Sequence, residues 1–425
     1  MDMLPFALTT ILQTFQPLMR SEVFPTFCYL LIGVLIGEAK AGTVRASVFA
    51  PADYWPQRLS DLFCRPQLSG QALMAHVARV ALASLYPNGL PERLFWMADA
   101  TDTEKPYAQH IASVDWFQRL TYVAGRAKNL QGHCYVFAAH LSTHGEGNVR
   151  QWASVLVGAV LYVKGRSIPT LVGAWAQHLR LPGHVRHVWL TDSGILSRPL
   201  VRALCSQEQF ALGRLRCNQR VYFAPRRRSP RQRRPRVFGQ SWRVDPSLTR
   251  FPQRLRQPQP VLHGRGRDRA AVVWETEILV RGVWPHRALP ARVLLVTVPG
   301  LALAPWYWLC TDLTLEPAEA VHTYTGRFQI GVTFDEVTEL GLGHYQGRSG
   351  HGVRRWPLFL CVAHLLLKFL ATGVLSVPLP DLNWSWYPRE NTLGQVRRRL
   401  IDLCRPRISR QKPCPASEQE FTKAA

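Results

Sequence analysis

Apolar residues along this chain fall into two textures. Through residues 1–90 they recur at helical spacing, as in "TTILQTFQPLM" (9–19) and "QALMAHVARVALASLY" (71–86), with proline-containing breaks between periods. That pattern predicts a helical region, and no catalytic polar cluster interrupts it. From residue 91 the apolar runs shorten to strand length: "LFWMADAT" (94–101), "HCYVFAAHL" (133–141), "ASVLVGAVLYV" (153–163) and "HVWLTDSG" (187–194). "SRPLVRALCSQ" (197–207) then reads as a helix, with Ser197 at its N-cap and Pro199 in its first turn. Further strand-like runs follow at "AAVVWETEILV" (270–280), "ARVLLVTV" (291–298) and "WYWLCTDL" (306–313). Helical periodicity returns in "YTGRFQIGVTFDE" (324–336) and "RRWPLFLCVAHLLLKFL" (354–370).

Strands alternating with helices predict an α/β domain. In open α/β sheets functional side chains collect beyond the carboxyl ends of the strands, where Asp99 and Asp192 both fall. Asp102 is the rival to Asp99, and Asp192-Ser-Gly is also good turn chemistry. In 324–336, Tyr324, Arg327, Asp335 and Thr338 recur around one helical face, flanked by Phe328, Ile330, Val332 and Phe334. Gly331 breaks that face, at a cost of about 1 kcal/mol relative to alanine.

Composition adds a partner class. The chain has 425 residues, a size that calls for more than one structural unit, and 47% hydrophobic residues, enough for a sizeable core. A net charge of +24 points to polyanions, nucleic acid before membrane. Only seven of the 52 basic residues are lysine, so the charge carries more information than the choice of arginine. "PRRRSPRQRRPR" (225–236) places seven arginines among three prolines and reads as an extended basic arm for phosphate contact, with Arg226, Arg227, Arg228, Arg231, Arg233 and Arg234 its candidate contacts.

Nine scattered cysteines without C-x-x-C spacing argue against zinc and read as small buried hydrophobes, with reduced thiols expected in a cytoplasm. Two stretches imitate membrane spans, 27–39 and 356–375. The first is too short, and the second carries His364 and Lys368 near its centre, so both predict buried helices. His110, His133 and His140 read as ordinary hydrogen-bonded residues. Trp96, Trp189, Trp306 and Trp308 read as core or strand residues, although an aromatic could also stack on a flipped base.

The Asp99-Ala-Thr run, "WLTDSG" with Asp192, the later Tyr324-x-x-Arg327 helix and "GLGHYQGRS" (341–349) together resemble the DDE transposases of bacterial insertion sequences. The resemblance covers nearly the whole chain. It implies a ribonuclease-H-like core with a β-rich insertion and an N-terminal helical region. Residues 1–90 would bind DNA ends, 91–220 and 316–404 would form the core, 221–315 the basic arm and insertion, and 405–425 a flexible tail. It also implies two Mg²⁺ ions, with Mn²⁺ as substitute, on Asp99 and Asp192. Tyr324, Arg327 and Arg348 would contact DNA, and a homodimer would act on element ends and target DNA. No membrane or small-molecule substrate is implied, and the setting would be the bacterial cytoplasm.

The signature helix of that family reads Tyr-x-x-Arg-x-x-x-Glu, with a later Lys. Here Gly331 stands at the Glu position and Thr338 at the Lys position. The expectation is an impaired enzyme, with Asp335 the nearest substitute acid on that face. The alternative is a DNA-binding derivative without catalysis.

Overall fold

The computed structural model describes residues 4–37, 56–64, 68–106, 108, 110–120, 127–144, 151–179, 184–216, 219–225, 237–244, 259–264, 268–283, 288–298, 306–345, 347–381 and 392–408. The six arginines of the basic arm named above lie outside them. The chain is a mixed α/β protein of two compact units, residues 1–89 with 100–163 and 331–425, and residues 90–99 with 164–330.

The first unit opens with helices α1 (Phe6–Gln13), α2 (Phe24–Ile36), α3 (Pro56–Cys64) and α4 (Gly70–Leu85). α2 is apolar almost all round and is buried from Phe24 to Ile36 except at Pro25 and Tyr29. It packs on α9 (Gly350–Ala371) and α10 (Leu393–Ile408). Two arginines finish helices of this unit. Arg397 of α10 donates to the carbonyls of Val34, Leu35 and Gly37 at the end of α2, at 3.1, 3.3 and 2.8 Å. Arg355 of α9 donates to those of Leu62 and Phe63 in α3, at 2.8 and 3.3 Å. Both satisfy carbonyls that have no partner within their own helix.

Among the described residues no helix is long and apolar enough to cross a membrane. In α9, Glu336 of α8 (Gln329–Glu339) accepts from His364, 2.9 Å away, and from Lys368 at 2.6 Å. Pro357 lies inside α9 and has no N–H for Val353 four residues back, and the Tyr135 hydroxyl donates to that carbonyl at 3.4 Å. The strands of this unit are β2 (Asp115–Gln118), β3 (Asn129–His144), β4 (Gln151–Leu161) and the second half of β1 (Arg93–Glu104). β3 and β4 pair antiparallel with a register shift between Ala138 and Ala139, and α9 and α4 pack on β4. Gly132 of β3 is forced by contact: a Cβ there would lie 1.9 Å from the Thr103 carbonyl of β1.

In the second unit the first half of β1 pairs in parallel with β5 (Arg186–Thr191), and β5 in parallel with β6 (Phe210–Arg214). The sheet then continues antiparallel through β12 (Trp306–Cys310), β11 (Leu289–Thr297) and β10 (Asp268–Val280). β7 (Arg220–Tyr222) with β8 (Ser241–Arg243), and β9 (Gln259–Gly264), pair along β10's other edge. Helices α5 (Ile168–His178), α6 (Arg198–Cys205) and α7 (Pro317–Gly326) complete it.

At the amino end of β1 and β5, Asp312 is wholly buried between Arg93 (3.2 Å) and Arg186 (3.1 Å). Burial alone would raise its pKa, but the hydroxyl and N–H of Thr314 and the charge of Arg93 hold the carboxyl below its ordinary value. In the core, Trp96 stacks on Trp189 and donates to His187 Nδ1 at 3.1 Å.

The later helices differ from the sequence reading. The helix expected over 324–336 is two helices, α7 and α8, joined by a turn at Arg327–Phe328 whose hydrogen bonds run three residues back. Phe328, expected as an apolar flank, is 69% exposed. Residues 405–408, expected in a flexible tail, belong to α10, and the rest of that expected tail lies outside the described residues.

Candidate functional site

Four residues singled out in the sequence meet in the second unit. β1 runs on past Asp99, but its parallel ladder with β5 ends at Met97↔Leu190. Asp99 lies two residues beyond Met97 and Asp192 two beyond Leu190. Asp192 directly follows β5, and Asp99 lies at the same level of the neighbouring β1, just past their paired stretch. This follows from local sequence, since the apolar runs that make the strand cores stop at these two acids.

Asp192 closes the turn between β5 and α6. Its Oδ1 accepts from the N–H of Gly194 at 3.0 Å and of Ile195 at 2.8 Å, and its backbone carbonyl from Leu196 at 2.9 Å. Among the described residues Oδ2 receives no hydrogen bond. Ser197 takes the N-cap position and Pro199 the first turn, as the sequence suggests, but the Ser197 hydroxyl makes no cap bond.

Tyr324 and Arg327 come from the last turn of α7 and its C-cap. The Tyr324 hydroxyl donates to the Thr191 carbonyl at 2.9 Å, and its ring lies 4.5 Å from that of Trp308. Burial pushes the phenol up to about 12, with Arg327 pulling it down and Asp192 pushing it further up. It is a protonated donor at neutral pH. One Nη of Arg327 donates to Asp99 Oδ2 at 2.5 Å, while its Nε is buried without an acceptor. This ion pair is mostly sheltered, with the side chains 19% and 26% exposed. The same three-residue step along one helix end thus engages both strand ends.

Arg216 is a site residue that the sequence reading passed over. Its guanidinium donates to the carbonyls of Ser193 (2.8 Å) and Gly194 (3.4 Å), bracing the Asp192 turn. One more arginine in an arginine-rich chain carries no signal, and only the fold brings it to that turn.

The remaining candidates lie in the first unit. Gly331 is exposed in the first turn of α8, and a Cβ built there meets nothing within 4 Å. Asp335 is exposed, and the Thr338 hydroxyl donates to its own helix at Phe334. Asp102 accepts from the N–H of Leu120 at 2.9 Å, a turn-pinning contact. His133 meets the Ala112 carbonyl and His140 the Tyr86 hydroxyl, while His110 is exposed.

Arg348 is exposed. The run around it is structural in part. Gly341 adopts φ +103°, and the Tyr345 hydroxyl lies so close to Gly352 that a Cβ there would clash. Lys105 donates to the Tyr345 carbonyl at 2.8 Å.

Chemically, the strand-end site offers two carboxylates, a guanidinium and a phenol donor. Carboxylates of this kind suit a hard divalent cation and the guanidinium suits a phosphate oxygen, while the phenol's one hydrogen is already donated to Thr191. No protein-family model and no curated protein matches the chain.

Proposed function

We propose that the chain is a DDE-type transposase acting on DNA by two-metal phosphoryl transfer, and that this copy is impaired. The observation that carries the reading is the convergence of Asp99, Asp192, Tyr324 and Arg327 at the ends of two adjacent parallel strands. Parallel β1, β5 and β6, together with the antiparallel β3–β4 pair, support a ribonuclease-H-like core. The +24 charge supports a nucleic-acid partner.

Asp99 and Asp192 offer the oxygen donors that Mg²⁺ takes, so the chemistry of the donor set fits the ion. When bound, the ions would stabilise the attacking and leaving oxygens of a phosphodiester. Asp192 meets this demand with the carboxylate oxygen that its turn leaves over. Tyr324 fixes the position of the helix end through Thr191, and Arg327 delivers positive charge for the phosphate. Position 331 contributes no oxygen, and Thr338 no charge.

A plasmid carrying candidate element ends, incubated in Mg²⁺ and separately in Mn²⁺, tests this. The Gly331→Glu chain is expected to cut and the unaltered chain to be slow or silent. Cleavage by neither, with both chains folded, would sink the reading. The specific case for a binding-only derivative is the absent acid at Gly331. Such a protein would hold DNA equally well in EDTA and would stay silent after Gly331→Glu.

A further inference from the structure

We infer that Arg327 is an exchangeable counter-ion, which holds Asp99 until DNA phosphate draws the guanidinium away and opens that carboxylate to a divalent cation. The inference rests on the reading of Asp99 as a cation ligand.

Three observations carry it. The guanidinium sits on Asp99 Oδ2, so it and a metal ion compete for the same oxygen. The pair is sheltered enough for that competition to matter, since Coulombic attraction strengthens as water is excluded. Among the described residues Nε of Arg327 is buried without an acceptor, so the bonding of this guanidinium is incomplete there. A phosphate offers two oxygens in the fork geometry that arginine matches, whereas the guanidinium here meets Asp99 through Oδ2.

Movement is local. Arg327 is the C-cap of α7, at the turn before α8, while Tyr324 one turn earlier is anchored on Thr191. The side chain can therefore swing while the helix end stays in place. A cation loaded before DNA arrives would have to displace a charge-assisted ion pair, and one loaded afterwards would not. Phosphate and cation binding are then positively coupled through one side chain, and by linkage each raises the other's affinity by the same factor.

The test uses the full chain with Mn²⁺ as probe, its free fraction read by electron paramagnetic resonance, with and without a short DNA duplex at low salt. Duplex is expected to tighten Mn²⁺ binding by about tenfold, a typical coupling between two sites. Arg327→Gln is expected to bind Mn²⁺ about tenfold more tightly without DNA and to gain nothing further from the duplex. Arg327→Lys, which keeps the charge but not the fork, should fall between, and it stands in if the glutamine variant does not fold. Tighter Mn²⁺ binding in Arg327→Gln while the unaltered chain shows no DNA coupling would overturn the exchange and leave only a change of local charge. Unchanged or weaker Mn²⁺ binding in Arg327→Gln would also overturn it.

Asp99→Asn separates the two levels of the argument. If it abolishes Mn²⁺ binding while Arg327 variants leave affinity untouched, only the exchange fails. If it changes binding in neither background, Asp99 is no cation ligand, and the catalytic reading falls as well.

Discussion

Asp192 divides its carboxylate between two tasks, and the division can be tested by substitution. Oδ1 holds the turn through Gly194 and Ile195, while Oδ2 receives no hydrogen bond among the described residues. Asn keeps an oxygen for those two N–H groups but removes the charge. Asp192→Asn should therefore unfold at nearly the same urea concentration as the parent while losing Mn²⁺ affinity. Asp192→Ala removes both and should cost about 1–2 kcal/mol, the order of an unmade pair of turn bonds. Equal losses in both variants would mean that the charge itself holds the fold.

At this scale the sequence was informative where chemistry follows an apolar run. Asp99 and Asp192 were legible because strand cores stop at them, and Tyr324 and Arg327 because their spacing is helical. Arg216 was not, since its partners are backbone carbonyls that only the folded turn presents. The Arg327–Asp99 pair was hidden for a similar reason, because it joins residues far apart in the chain.

Among the elements, the break between α7 and α8 changes the meaning of Gly331. In a continuous helix over 324–336 the glycine would lie in the interior and weaken it. In the structure it occupies the third position of α8, in the first turn, where an acidic side chain is favoured by the helix dipole. No neighbour obstructs a side chain there. Gly331→Glu should thus stabilise α8 by about 1 kcal/mol, from regained helix propensity and the dipole together. Thermal unfolding should shift upward by a degree or more, independent of any DNA. A fall in midpoint would show that the glycine is structurally required and is not merely a vacated acidic position.

Periodicity could not reveal this break, because Arg327 keeps helical dihedrals while the hydrogen bonds of Arg327 and Phe328 switch to the tighter spacing. The same limit explains α9. His364 and Lys368 looked costly in an apolar helix, and their partner Glu336 sits on a different element. The short β2 was missed as well, since "DWFQ" is too brief to show alternation.

Across the whole molecule, burial of titratable groups sets a direction for its response to acid. Helical and β textures were visible at this scale, but the pairing of β12 with β6 and of β1 with β5 joins distant runs that no local pattern matches up. Those pairings bury His187 beside Trp96, and burial lowers its pKa from 6.5 to about 4. Burial likewise lowers His133 and His364, although the Ala112 carbonyl and Glu336 oppose it.

A histidine whose folded pKa lies below its unfolded one binds its proton more readily in the unfolded chain. Stability from His187 is therefore complete above about pH 6.5 and is lost as pH falls toward 4, with a limiting slope of about 1.4 kcal/mol per pH unit for one proton. Asp312 and Glu336 are held below the ordinary carboxylate values, so their contributions persist through this window and fade only at lower pH. Each proton taken up also adds to a net charge already at +24.

Urea unfolding at pH 7, 6 and 5 should show a falling midpoint, and His187→Gln should show a shallower fall by roughly one proton's slope. Parallel pH profiles for the two chains would mean that His187 takes up its proton equally in both states, and hence that giving up the Trp96 hydrogen bond to Nδ1 costs the folded chain nothing.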